Sequence, residues 1–380
     1  MKLTTLIGFV LLLVTIASAQ FYTITDLGQL SPTAINTLGQ VAGNYNGHAY
    51  IWSFGNRSSL GLLLGGTFSW AAAINDFGVV TGTADGPGQI VSIDGGSTIE
   101  CSDLIQPFIW TQQKKMRGLG TAGPASDDAS LEDNGCPYPF YGAAINNHDQ
   151  VVGYTGQLTD VFQWVLLWTN KGGMSIFGSS FWNTYGNGVS NTGQIVGESG
   201  RGIFGGDATY WKNGIATDLG GLPGIPPLGS SAANGVNDLG QIVGLSSTPI
   251  DGNGQSFIHA VIWTQDGTIS DLGTLSGDTA SSASKINFSG VVIGSSGDNV
   301  TRSTIMGGQD SVFDVGPLEV TGRPFVWTAK SGMQDLNTLI RPNSGWVLNT
   351  ATDVNVWGQI VGSGTRNGQA HGFILTPYPF

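Results

Sequence analysis

The densest set of ligand-type side chains is Asp127, Asp128, Glu132 and Asp133, close to Cys136, in a stretch with no basic residue from Thr121 to Gly142. Hard cations prefer several carboxylate and carbonyl oxygens, so Ca²⁺ is the one cofactor these residues could take, although their spacing follows no calcium-loop pattern. Without a cation they form a solvated acidic loop that could line a binding surface. Asp85, Asp94, Glu100 and Asp103, together with Asp127, are the carboxylates available for paired acid and base chemistry on a polymer. Neither Gly-x-Ser-x-Gly nor His-Glu-x-x-His occurs. Gly200-Arg201-Gly202-Ile203-Phe204-Gly205 matches the dinucleotide fingerprint by letter, but it leads into a strand ending at Trp211 and offers no helix N-terminus to a pyrophosphate. His48, His148, His259 and His371 fall in separate repeats, two at equivalent places, which favours a structural role over metal ligation.

Compartment follows from the first residues. Lys2 precedes the apolar run Leu6 to Ile16, and Ala17-Ser18-Ala19 supplies small residues for a signal peptidase, so residues 1–19 read as a signal peptide and the mature chain as secreted, extracellular or periplasmic. No later run approaches the roughly 20 apolar residues of a membrane span. In an oxidising compartment the two cysteines, Cys101 and Cys136, are expected to form one disulfide. The formal charge of −12 argues against a nucleic-acid partner and favours a soluble monomer.

These side chains need a scaffold, and the composition limits what it can be. Gly supplies 60 of 380 residues and only 11% are charged, while 11 Trp, 17 Phe and 9 Tyr provide core material. Gly costs a helix about 0.8–1 kcal/mol per interior position, which argues against a helical fold. One unit recurs seven times. It begins as Ala34-Ile35-Asn36-Thr37-Leu38-Gly39-Gln40-Val41-Ala42-Gly43 and Ala73-Ile74-Asn75-Asp76-Phe77-Gly78-Val79-Val80-Thr81-Gly82. Further copies centre on Ile145-Asn146, Val189-Ser190, Val236-Asn237, Ile286-Asn287 and Val354-Asn355. Each is followed by an aromatic strand ending in Trp52, Trp110, Trp168, Trp211, Trp263, Trp327 or, in the last copy, Leu375, and the first six by a strand ending near Leu-Gly or its equivalent.

The repeat reads as four short antiparallel strands. Its Asn is a turn residue, because an Asn side chain bonds to nearby backbone, and its Trp packs between neighbouring sheets. The seventh copy lacks a fourth strand, whereas Ile24-Thr25-Asp26-Leu27-Gly28 supplies one ahead of the first copy. Residues 22–28 should therefore complete the last sheet and close a ring, giving an all-β, seven-bladed β-propeller over residues 20–380. Asp251-Gly252-Asn253-Gly254 reads as a turn, and the sequon at Asn287 sits at a hairpin that should occlude it, unlike those at Asn56 and Asn299.

Spacing selects a working face. The hairpin position, Gly in six copies and Asp149 in the third, and the closing Gly are always four residues apart, whereas the connections after the second and fourth strands vary widely. In an antiparallel blade those variable connections share one face. The insertions Thr83 to Gln106, Thr121 to Gly142 and Ser295 to Arg323 all belong to it, and long loops of this kind often carry function. Cys101 and Cys136 fall in the first two, so their bridge would pin neighbouring loops.

The repeat, with Ile-Asn, Gly-Gln-Val-Val-Gly and an aromatic strand ending in Trp, resembles the extracellular HAF repeat family. The name-giving triplet is nearest in His48-Ala49-Tyr50, with His259-Ala260-Val261 a weaker version; Pro107-Phe108, Pro324-Phe325 and Leu375 depart from the pattern. The resemblance implies an exported repeat protein and no catalytic residues. Together these readings lead to a noncatalytic protein that binds a surface glycan, peptide or protein on its loop-rich face. An extracellular polysaccharide hydrolase or lyase, or a purely structural assembly module, is the alternative.

Overall fold

A computed structural model of the chain describes residues 21–87, 89–92, 98–101, 104–121, 138–155, 164–178, 184–200, 206–227, 229–302, 305–306, 312–313 and 318–378. Six four-stranded antiparallel sheets follow one another along the chain, each in simple sequential order. Blade 1 consists of Ser31–Ile35, Val41–Tyr45, His48–Ser53 and Asn56–Ser59. The seventh blade takes Ile360–Arg366 and Gln369–Pro377 as its second and third strands, and its inner edge is split between Trp346–Leu348 and Asp353–Val354. Its fourth strand is Tyr22–Asp26, paired antiparallel so that Ile24 faces Leu375 and Asp26 faces Phe373. The fold is thus a seven-bladed β-propeller in which the amino-terminal strand completes the last blade.

The repeated Trp fills the space between blades. Trp211 packs with Val152 and Val165 of the preceding blade, and Trp263 with Val196 and Ala208. Leu375 takes the same place beside Ile293 and Val326 of blade 6.

Each closing Gly has a steric cause that spacing alone does not reveal. In blades 1 to 6 the first strand carries a β-bulge two residues before the Ile or Val of the motif, for example between Gly186 and Gly188 and between Ala233 and Gly235. A bulge swings the local backbone, and the carbonyl it displaces points at the closing Gly. A Cβ on Gly197 would lie 1.7 Å from the Tyr185 carbonyl oxygen, and one on Gly244 1.9 Å from that of Ala232. Gly362 meets the Thr350 carbonyl at 2.0 Å in the same way.

Two of the insertions carry paired strands. Gln89–Ser92 pairs with Thr98–Cys101, and the second and third strands of blade 6, Val292–Arg302 and Leu318–Thr328, continue as a ribbon paired as far as Arg302 and Leu318. Val300, Thr301, Val320 and Thr321 give this ribbon its strand propensity, and pairing satisfies backbone groups that a bare loop would leave to water.

In blades 5 and 6 a side-chain contact clasps the third strand to the fourth. His259 Nδ1 lies 2.9 Å from Asp271, and at the equivalent place of blade 6 Arg323 lies 3.4 Å from Asp335. At the ring seam Asp26 accepts from His371, from the Gly28 N–H and from Arg366. Burial alone would raise the Asp26 carboxyl, but these bonds outweigh it and hold the carboxyl below its ordinary 3.8. A carboxyl lowered by folding adds stability above its unfolded value and loses it as pH falls through the folded value.

Two outcomes follow. Gly244→Ala should cost about 3–5 kcal/mol, whereas Gly252→Ala, which meets nothing, should stay within about 0.5 kcal/mol, as read from urea midpoints. Asp26→Asn should lower the midpoint at neutral pH by about 1–3 kcal/mol, and that difference should shrink as pH falls below 3.8; a gap unchanged at pH 2 would contradict the seam clasp.

Candidate functional site

Asp94, Asp103, the acidic residues Asp127, Asp128, Glu132 and Asp133, Cys136, the signal-like residues 1–19, and residues 201–205 lie outside the described residues. Cys101 ends the strand Thr98–Cys101 and is buried; Glu100 shares that strand. Asp85 is not placed for acid or base chemistry. It is 2% exposed and accepts from the Thr67 N–H and hydroxyl and from the Phe68 N–H, fixing the loop that enters its own blade. His259 and His371 sit in the strand clasps, and no group of three or more metal-ligating side chains forms among the described residues. Asp251 accepts from the Asn253 and Gln255 N–H groups, as its turn requires. Asn287 is buried, whereas Asn56 and Asn299 are exposed.

The two faces of the ring differ in what they leave free. On the hairpin face a central cavity of about 210 Å³ is walled by the motif residues of all seven blades. Its amides are already committed. Asn36 Nδ2 donates to the Asn75 carbonyl at 3.1 Å, Asn75 to Asn146 at 3.0 Å, and Asn146 to Ser190 at 2.9 Å. The series continues from Asn237 to Asn287, from Asn287 to Asn355, and from Asn355 back to Asn36. Where Ser190 replaces Asn, the neighbouring Asn191 bridges to Asp238 through its N–H at 2.7 Å and its side chain at 2.8 Å.

On the loop side Asn187 and Asn234 are likewise committed, donating to the Ala233 and Ala283 carbonyls of the next blade, but not every charge is. The residue before the motif Ile or Val is Ala34, Ala73, Ala144, Gly188 and Gly235 in five blades, but Lys285 in blade 6 and Asp353 in blade 7. Asp353 joins blade 7 to blade 1 by accepting from the Ile35 N–H at 2.9 Å. Burial raises its carboxyl, with the Lys285 charge and the N–H groups of Ile35 and Val354 partly offsetting. Lys285 lines an axial groove of about 680 Å³ with Asn187, Asn234, Ser282, Ser284 and Glu319. Glu319, on the blade 6 ribbon, is the one carboxylate in that lining. Its surface is exposed, yet desolvation pushes its carboxyl above the ordinary 4.5. The phenol of Tyr154 in blade 3 is raised by burial and then by the Glu319 charge, so the ribbon brings its carboxylate within electrostatic reach of the opposite side of the ring.

A second opening on this face, about 560 Å³, lies where blades 7, 1 and 2 meet. Trp70, 50% exposed, stands there with Tyr45, Gln29, Asn46 and Gln369. Tyr45 is held by the Arg57 guanidinium 4.1 Å above its ring. Trp70, Lys285 and Glu319 were not singled out from sequence. The available signal was departure from the repeat: Trp70 lies outside the recurring Trp column, and Lys285 interrupts a column of small residues.

No protein-family model matches the chain, and no curated protein matches it either. Among solved structures it is similar to virginiamycin B lyase from Staphylococcus aureus, at 9% identity and a TM-score of 0.47, over 93% of this chain and 99% of that one. It is also similar to an extracellular domain from B. thetaiotaomicron, at 10% identity and TM-score 0.46, over 95% of this chain and 40% of that one. Porphyromonas gingivalis dipeptidyl peptidase 4 matches at 10% identity and TM-score 0.42, over 89% and 50% of the two chains. At these identities the likeness concerns the propeller alone. No helix among the described residues is long and apolar enough to cross a membrane.

Glu319→Gln removes the charge that helps to raise Tyr154. Absorbance titration of phenolate should therefore show one tyrosine ionising at lower pH than in the parent, and the shift should vanish in a Tyr154→Phe background. Superimposable curves would mean that the ribbon does not reach across the axis.

Proposed function

We propose that this protein is an exported, noncatalytic recognition protein that holds a surface glycan on the loop-bearing face of the propeller. Its HAF-like repeats and signal-like start support export. The observation that carries the ligand class is the half-exposed Trp70 in a concave opening rimmed by amide side chains. A sugar ring presents an apolar CH face and a rim of hydroxyls. A flat indole covers the first, and Gln29, Asn46 and Gln369 can donate to and accept from the second. Large exposed aromatics in a concavity mark interaction sites, and this one fills no gap between blades.

A Cys101–Cys136 bridge belongs to the same reading, tying the blade 2 insertion to the loop that follows it. By chain entropy a closed loop of this length contributes about 3–4 kcal/mol. Thiol titration of the unfolded, unreduced protein should find no free thiol, and one cross-linked peptide pair should appear on digestion; two reactive thiols would remove the bridge.

Glycan-array screening of the purified protein, followed by calorimetry on the best ligand, tests the site. Trp70→Ala should weaken binding at least tenfold with an unchanged melting temperature. Equal affinity in the variant would move the ligand elsewhere, and retention of peptides or proteins alone would replace the glycan assignment.

A further inference from the structure

The axial groove is a second site, distinct from the Trp70 opening. Lys285 and Glu319 both line it, and among the described residues neither makes an ion pair with the other or with any third group. At the strand clasps, by contrast, opposite charges are joined: Arg323 with Asp278 and Asp335, Arg366 with Asp26. Asp353 feels the Lys285 charge but forms no ion pair with it, and its two oxygens accept the N–H groups of Ile35 and Val354, each at 2.9 Å. The Lys285 ammonium thus keeps its donors in a column where five blades carry only Ala or Gly, and the Glu319 carboxylate is partly desolvated without a cation beside it.

Two opposite charges kept apart in one hydroxyl-lined groove match a ligand that carries the complementary pair. We propose that the axial groove binds a small zwitterion of the amino-carboxylate class, a free amino acid or short peptide, with its carboxylate on Lys285 and its ammonium on Glu319. Ser282 and Ser284 offer hydroxyls to the atoms between the ends. Charge-assisted hydrogen bonds at both ends give selectivity against ligands lacking either group, since the unmatched protein charge then stays desolvated and unpaired.

The probe is the ladder from dialanine to tetra-alanine, titrated calorimetrically into the purified protein, with the N-acetylated and C-amidated form of each peptide. At least one free peptide should bind saturably at millimolar or lower concentration, and each cap should weaken it at least tenfold. Lys285→Met should remove the penalty for amidation, Glu319→Gln the penalty for acetylation, and Trp70→Ala should change neither. Absence of saturable binding by every free peptide, or capped forms that bind as well as free ones, overturns the proposal. Sensitivity to amidation alone reduces the groove to an anion site and overturns it equally. The capped series on the parent protein decides the matter even if Lys285→Met, by leaving Asp353 uncompensated, proves unstable. Loss of glycan binding in Trp70→Ala tests the other opening, so the two readings fail separately.

Discussion

The ring depends on one recurring hydrogen bond, from the side-chain amide of each motif asparagine to the main-chain carbonyl of the next blade. The same residue serves its own hairpin: Asn36 Oδ1 accepts the N–H groups of Leu38 and Gln40, and Asn355 Oδ1 those of Trp357 and Gln359. An asparagine has both an acceptor and two donors, so it can cap a turn and reach sideways at once; an ionised Asp has no donor, and Ser190 spends its shorter hydroxyl on Thr192 and Gln194. Each bond is worth only about 1 kcal/mol net, but in a buried annulus an unmade one costs more than a made one contributes. Ser190 illustrates the constraint. Its hydroxyl caps Gln194, and a separate pair, Asn191 with Asp238, must supply the link to blade 5.

Much of this was legible because a repeat repeats its constraints. Four strands per unit, the Trp between sheets and closure through Tyr22–Asp26 follow from spacing, and the register of Ile24 with Leu375 agrees with the displaced strand. The outward half of the asparagine's role was not legible, since a turn explains the residue completely when one blade is considered alone. The closing Gly was likewise read only as a marker. Its cause is a bulge on another strand, and bulges leave no consistent residue type: Thr33, Ala72, Ala143, Asn187, Asn234 and Ser284 occupy that place.

The site was less legible for a related reason. Sequence reasoning weighs clusters of like chemistry, so it settled on the carboxylates of the insertions, of which Asp85 proves to be a buried acceptor for its own loop. Lys285 and Glu319 are separated along the chain by a turn and a whole ribbon. They share a groove only because Lys285 stands at the bulged inner edge of blade 6 while the ribbon, growing from the same blade, turns its carboxylate toward the axis. Face assignment, by contrast, needs only connectivity, and it placed the variable loops together.

Ring closure also explains why the two faces have diverged. On the hairpin face every motif amide is used to join blades, so a substitution there breaks a junction as well as a turn. The loop side joins blades through other positions, with Asn44, Asn187 and Asn234 each donating to a carbonyl of the next blade, while the column holding Lys285 is Ala or Gly in five blades. Asp353 holds blade 7 to blade 1. Blade 6 therefore has freedom to place a charge toward the axis, provided its neighbour's carboxylate offsets part of the desolvation. The ribbon adds further freedom, because its backbone groups pair with each other and ask nothing of the core. Chemistry can collect at that end of the axis without loosening the ring that supports it.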